Sequence, residues 1–307
     1  MRGLAILTGA VACAAATLLA GTSPPHPEQD PLSTFRASAD IVTIEASVRR
    51  DKRPVTGLKA ADFEIFDNGV SQEIAAVSYE KLPIDVTVVL DVSASVTGWV
   101  LNELRRSVRQ LRADLGPFDR LKLITFNMRI RRLADFAEPA STSDAAFASL
   151  VGSGSSAIFD TMAVALTTPV PPGRRNLIVL FSDGQDSSSI SDPEALLDVA
   201  RRSTPTVAVV LASPAPERSA AVLARAPGMT IGRLYEQLAR ETGGVVVSTV
   251  VGDDLTSAFR RVLDQFRASY VLYFAPRGVP RAGVHTLDVR VARPGVDLRA
   301  RRGYVWR

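Results

Sequence analysis

The stretch VTVVLDVSASV, residues 86–96, decides how the rest of the chain is read. It runs uncharged and apolar to Leu90, then turns polar, with a carboxylate and two hydroxyls at alternate positions, Asp91, Ser93 and Ser95. An unbroken apolar run suits a strand covered on both faces. The oxygens that follow it are hard ligands of the kind Mg²⁺ or Ca²⁺ takes and softer metals do not favour. A second reading competes with this, because strand ends are polar and a serine there can cap the helix that follows.

Downstream of this stretch, strands alternate with helices. Val100, Leu104, Val108, Leu111 and Leu115 form one helical stripe, with Arg105, Arg109 and Arg112 off it. RLKLITF reads as a second strand and RIRRLADF as a third, at an edge. Helical stretches near 143–151 and 157–167 precede NLIVLFS, another buried strand. A helix at about 192–202, the strand TVAVVLA, a helix around 231–241, the strand GVVVST and a helix over 253–268 complete the series. This alternation predicts an α/β domain over residues 84–268, a doubly wound, mostly parallel sheet with helices on both faces.

The flanks carry β patterns instead. Residues 36–82 contain ADIVTIEASVRR and then DFEIFDNGVSQEIAAVSYE, whose DNG between two β-type runs is a strong hairpin signal. They read as a small antiparallel β segment. Residues 269–307 contain ASYVLYFAP, GVHTLDVRVARPG and VDLRARRGYVWR, read as three strands. Each segment is marginal as an independent fold. The two are therefore expected to join as one β-sandwich with the α/β domain inserted between them. Two separate β appendages are the competing arrangement.

The N-terminus, MRGLAILTGAVACAAATLLAGTSPPHPEQD, has a basic start, an apolar stretch and a Pro-rich polar run. It reads as a secretory signal over residues 1–21 and a linker over 22–35, which places the mature chain outside the cytoplasm, periplasmic or secreted. A single-pass anchor is the rival reading. No later apolar run approaches the roughly 20 residues of a membrane span. Cys13 is the only cysteine, so a processed chain has no disulfide, thiol nucleophile or cysteine zinc site. The net charge of +4 is too small to argue for nucleic acid.

Ligands of open α/β sheets bind beyond the carboxyl ends of the strands. Three segments at such ends carry matching chemistry: LDVSAS, GSGSSAIFD and LFSDGQD. Together Asp91, Ser93, Ser95, Ser156 and Asp183 give two carboxylates and three hydroxyls, an oxygen-only set that leaves room for water and one outside ligand. Ser155 is the alternative to Ser156. Mg²⁺ keeps such waters by preference, and Mn²⁺ is the alternative cation.

The D-x-S-x-S loop, GSSAIFD and the SDG after a buried strand resemble the metal-ion-dependent adhesion site of von Willebrand factor A domains, over roughly residues 84–268. The flanks RPVTGLKAADFEIFDNG and HTLDVRVARPGVDLRARRGY resemble those of the VWFA-related proteins of Acidobacteria. The resemblance implies that Asp91, Ser93 and Ser95 form the first metal loop. Ser156 stands where the family usually has Thr, and Asp183 is the last ligand, often through water. It also implies a non-enzymatic binding or adhesion protein that engages an exposed Asp or Glu of a protein partner. The reading from a different class is a structural module of an envelope assembly, in which the metal only stabilises the fold.

Enzymatic readings find little support. His26 and His285, the only histidines, have no path to Ser93, G-x-S-x-G is absent, and no Lys follows the Gly residues of GSGSSAIFD as a phosphate loop requires. Asp186 reads as a solvated loop carboxylate, with a place beside the metal ligands as the alternative; the Arg residues of MRIRRL and DLRARRGYVWR read as solvated sides of edge strands, with an anion-binding face as the alternative. ASPAPERSAAVLARAPGMTIG, residues 212–232, reads as a long flap on the metal face.

Overall fold

The computed structural model describes residues 41–79, 82–138, 147–213, 230–250 and 254–306. The expected leader and linker, much of the helical stretch at 143–151 and most of the flap lie outside them. The described residues belong to one compact unit, Ser38–Arg307.

The head holds β1 (Val42–Arg50), β2 (Arg53–Pro54), β3 (Phe63–Asp67), β4 (Val70–Gln72) and β5 (Ile74–Tyr79). The α/β segment follows as β6 (Ile84–Asp91), α1 (Gly98–Ala113), β7 (Arg120–Phe126), β8 (Ile130–Ala134), α2 (Ile158–Leu166) and β9 (Arg175–Ser182). It continues as α3 (Pro193–Arg202), β10 (Thr206–Ser213), α4 (Ile231–Thr242), β11 (Val245–Val250) and α5 (Leu255–Arg267). The tail is β12 (Tyr270–Phe274), β13 (Gly283–Val291), β14 (Asp297–Ala300) and β15 (Gly303–Trp306).

The α/β sheet has the order β11-β10-β9-β6-β7-β8, parallel throughout except for β8, which closes the edge antiparallel to β7. Every residue of β6 and β9 is buried, as central strands with both faces covered must be. One face packs Val88, Leu90 and Val179 against Leu104 and Val108 of α1 and Phe259 and Val262 of α5. The other packs Val89 and Leu180 against Met162 of α2, Leu196 of α3 and Leu238 of α4. Helix starts are fixed locally: Asp192 accepts the Ala195 N–H at 2.8 Å with Pro193 in the first turn, and Asp254 accepts the Thr256 N–H at 3.0 Å. From β6 the chain runs outward to β7 and β8; from β9 it runs the other way, to β10 and β11. The switch point therefore lies between β6 and β9, and their carboxyl ends frame the crevice where ligands bind in such sheets.

The head strands pair with those of the tail. Asn68 and Gly69 take positive φ, 48° and 80°, in the predicted hairpin turn between β3 and β4. Beyond that hairpin, β1 pairs with β12 and β14 of the tail, and β3 with β13. One sheet runs β14-β1-β12-β5 with β2 on β1, the other β15-β13-β3-β4. Both supply one hydrophobic cluster, including Ile44, Ile65, Leu272, Phe274 and Leu287. The tail has four strands where three were expected, because VDLRARRGYVWR breaks after Ala300 and changes sheet. The break sits at Arg301, which is buried and not a solvated edge residue. Its guanidinium donates to the carbonyls of Ser203, Thr204 and Gly303.

Residues 36–82 expressed alone should not fold, since β1 and β3 would lose their partners on β12, β13 and β14. The expected amide NMR spectrum is narrow. A well-dispersed one would show that the head is autonomous.

Candidate metal centre

Asp91 ends β6 and is wholly buried, and Ser182 ends β9 beside it. In the period of a strand, Asp91 is in phase with Val89 and Ser182 with Leu180, so both look toward the layer of α2, α3 and α4. Asp91 Oδ1 accepts the Ser93 N–H at 2.9 Å. Its Oδ2 accepts the hydroxyls of Ser156 at 3.0 Å and Ser182 at 2.9 Å. The hydroxyls of Ser93 and Ser95 stand 3.1 Å apart, the first buried and the second exposed. Ser156 is buried against Asp91, whereas Ser155 is exposed. Asp183 is half-buried and its Oδ1 accepts the Gln185 N–H at 3.2 Å. It reaches Asp91 through charge, by raising that carboxyl's pKa.

The backbone holds these loops in place. Val92 N–H donates to Phe126 O at 2.8 Å, Ala94 N–H to Gly154 O at 3.0 Å, and Ser153 N–H to Val92 O at 2.9 Å. Gly152 permits this approach, since a Cβ there would lie 2.0 Å from Val96 O. The loop after β9 closes on the same segment, with Ser187 N–H and Ser188 N–H donating to Ser156 O at 2.8 and 3.0 Å. Gly184 turns that loop at φ +94°, a conformation that favours glycine.

Asp186 is not a solvated carboxylate. It is half-buried and accepts the Phe159 N–H at 3.1 Å and the Ser189 hydroxyl at 2.5 Å, capping the N-terminus of α2. Sequence reasoning also missed two residues. Ser182 was hidden by the more conspicuous Asp183 after it; the available signal was a hydroxyl on a core-facing position at a strand's end. Tyr235 of α4 is fully buried, and its hydroxyl has no hydrogen-bond partner among the described residues. Burial pushes its pKa well up, and the charges of Asp186, Asp91 and Asp183 add to the effect, so the phenol lies within electrostatic reach of the site.

Burial likewise raises the Asp91 carboxyl, and Asp183 adds to this, while hydrogen bonds from Ser93 and Ser182 oppose it. Neither carboxylate makes an ion pair with Lys or Arg among the described residues. No cluster of three or more His, Cys, Asp or Glu residues able to hold a metal occurs among them either, so a cation here would depend on the hydroxyls. The loops at this end of the sheet and the first turn of α1 expose large apolar side chains: Ile190 at 93%, Val151 at 73%, Met128 at 61%, and Trp99 of α1 at 49%. His285 lies in the other core, its Nδ1 2.7 Å from Asp67 Oδ1, and takes no part in this site.

Residues 85–232 match the sequence model of the von Willebrand factor type A (VWA) domain. No match was found among curated proteins. Among solved structures it resembles an aerotolerance-related membrane protein from Bacteroides fragilis bearing multiple mutations to serine. That match has 17% identity and a TM-score of 0.45, and covers 60% of this chain and 98% of that one. BatB from Bacteroides thetaiotaomicron matches at 16% identity and TM-score 0.45, covering 59% and 98%. Proximal thread matrix protein 1 from the mussel byssus, with a zinc-occupied MIDAS motif, matches at 14% and 0.47, covering 64% and 48%. Likeness this distant carries no weight for function.

Proposed function

We propose that residues 85–232, which match the VWA model, fold as a VWA domain in which Asp91, Ser93, Ser95, Ser156 and Asp183 hold a divalent cation, Mg²⁺ or Mn²⁺, through which the chain engages an acidic group of a protein partner. The observation that carries this is Asp91, a fully buried carboxylate with no cationic side chain beside it among the described residues. Such a charge is costly unless paired or bound to a metal. The donor set fits a hard cation. Two ligands at right angles on a Mg²⁺ ion at roughly 2.0–2.1 Å lie about 2.8–3.0 Å apart. Ser156 Oγ and Asp91 Oδ2 stand 3.0 Å apart, and the Ser93 and Ser95 hydroxyls 3.1 Å.

The cation would bring Lewis acidity and an open coordination position; the surrounding residues provide the setting. Trp99, Met128, Val151 and Ile190 are exposed on segments that follow strands at this end of the sheet, and such apolar side chains suit a partner carboxylate flanked by apolar groups. We read the chain as exported and non-enzymatic, with residues 36–82 and 269–307 forming one β-sandwich beneath the VWA domain. The flanks mark it as similar to the VWFA-related proteins of Acidobacteria. No helix among the described residues is long and apolar enough to cross a membrane.

A pull-down from native envelope fractions tests this. The partner should be recovered with Mg²⁺, lost with chelator and lost with Asp91→Asn. Trp99→Ala should weaken recovery several-fold without touching cation binding. Recovery that persists in chelator would favour the structural-module reading.

A further inference from the structure

Beneath the opposite end of the α/β sheet lies a second polar site. Asn176 and Ser182 are six residues apart on β9, about 20 Å at 3.3 Å per residue. There the α/β segment meets Thr43 and Glu45 of β1 and Val271 of β12, around a cavity of about 250 Å³. Its charged lining is three guanidinium groups, Arg174, Arg175 and Arg301, against one carboxylate, Glu45.

Two of these cations are matched. Arg175 holds Glu45 through two hydrogen bonds of 2.8 and 2.6 Å. Arg174 donates to Asp85 at 2.7 Å, but Asp85 also serves Arg120 at 2.8 Å. Arg301 has no carboxylate among the described residues. It is 5% exposed and donates only to main-chain carbonyls, at 3.0 Å to Thr204 and 2.6 Å to Gly303, with Ser203 as the third. Ser203 and Thr204 follow the C-terminus of α3, whose dipole offsets about half a charge. Burial lowers the Arg301 pKa only to about 10, so it stays cationic at neutral pH. The three guanidinium groups lining the cavity thus face Glu45, a share of Asp85 and one helix end. Lining the same cavity is Asn176, 5% exposed, with neither its amide oxygen nor its amide nitrogen hydrogen-bonded among the described residues.

We propose that this cavity binds a small oxyanion between Arg301 and Asn176, tying the tail to the base of the VWA domain. An oxyanion with both bare and protonated oxygens, such as hydrogenphosphate, supplies acceptors for the guanidinium and the Asn176 N–H, and an O–H for the Asn176 carbonyl. The site is independent of the cation reading, since it shares no residue with that site.

The test is a thermal melt of the full chain in divalent-free buffer, titrated with inorganic phosphate against chloride at matched ionic strength. Wild type should show a rise of roughly 2–4 °C that saturates in the millimolar range. Phosphate also stabilises proteins by exclusion from their surface, without saturating, and that part should appear equally in every variant. Asn176→Leu should lose the saturable rise yet melt higher than wild type in phosphate-free buffer, because it removes an unsatisfied buried amide. Arg301→Met should also lose the rise, but it releases the end of α3, so Asn176→Leu is the deciding variant. A saturable rise kept in Asn176→Leu, or absent from wild type, would overturn the proposal.

Discussion

Saturating Mg²⁺ or Mn²⁺ should raise the melting temperature of the wild-type chain, and Asp91→Asn should abolish that rise while keeping the fold. A ligand that binds only the native state stabilises it by mass action, by roughly 2.7 kcal/mol at a hundredfold excess over Kd. Asparagine is the right probe because Asp91 accepts three hydrogen bonds, from Ser93 N–H and from the hydroxyls of Ser156 and Ser182. The amide oxygen can keep the Ser93 N–H bond, while its NH2 faces the Ser156 and Ser182 hydroxyls, which can rotate to accept from it, so the charge goes without stranding the Ser93 N–H. Without cation, the mutant should be at least as stable as wild type, since burial and Asp183 both disfavour the ionised carboxyl. Asp91→Ala is a different experiment. It strands buried donors and should lose about 1–3 kcal/mol whatever the cation does. Ser156→Ala should weaken the cation response and leave some of it. If wild type shows no rise with either cation at millimolar concentration, the cation reading fails, and the structural module becomes the better account.

The parts of this molecule that could be read in its sequence are those set by local pattern. The apolar run of β6, the stripe of α1 and the Asn68-Gly69 turn each follow from neighbours a few residues apart. The candidate loops were legible because hydroxyls and carboxylates follow the strand ends at Asp91, Ser93, Ser95, Ser156 and Asp183, where ligands of open α/β sheets bind, and the structure brings Ser156 against Asp91. What stayed hidden depends on distant partners. Only Glu73 separates β4 from β5, yet the two strands lie in different sheets, one paired with β3 and the other with β12. No local signal marks that change. Arg301 looked like one more exposed arginine in a basic run, because its acceptors Ser203 and Thr204 are nearly a hundred residues away. Asp186 passed for a loop carboxylate because its partner, the first turn of α2, is remote in sequence and only folding brings it near.

The same limit applies to Asp85, a carboxylate inside what reads as an apolar strand, and its replacement by Asn should be among the most damaging single changes in the α/β segment. Asp85 is fully buried. Arg120 binds it through two hydrogen bonds of 2.8 and 2.5 Å, and Arg174 through one of 2.7 Å. Through them it joins the start of β6 to the starts of β7 and β9. The Arg120 side chain is 35% exposed and can turn to water when its partner is neutralised, so its share is small. Arg174, at 17%, cannot do so as easily, and removing one member of a buried pair costs about 3–5 kcal/mol. The expected loss for Asp85→Asn is about 3 kcal/mol near neutral pH, measured by urea denaturation. Acid supplies the check on mechanism. Burial alone would raise the Asp85 pKa, but the hydrogen bonds and charges of Arg120 and Arg174 outweigh it and hold the carboxyl below its ordinary value. A depressed folded pKa means stability that is complete above the unfolded value of about 3.9 and is lost as pH falls through the folded one. The gap between wild type and Asp85→Asn should therefore be flat from about pH 7 to about pH 5 and narrow only below about pH 4. A gap that widens on acidification, or is absent at neutral pH, would show that the two arginines do not depend on Asp85 and that the sheet's lower edge is held by packing alone.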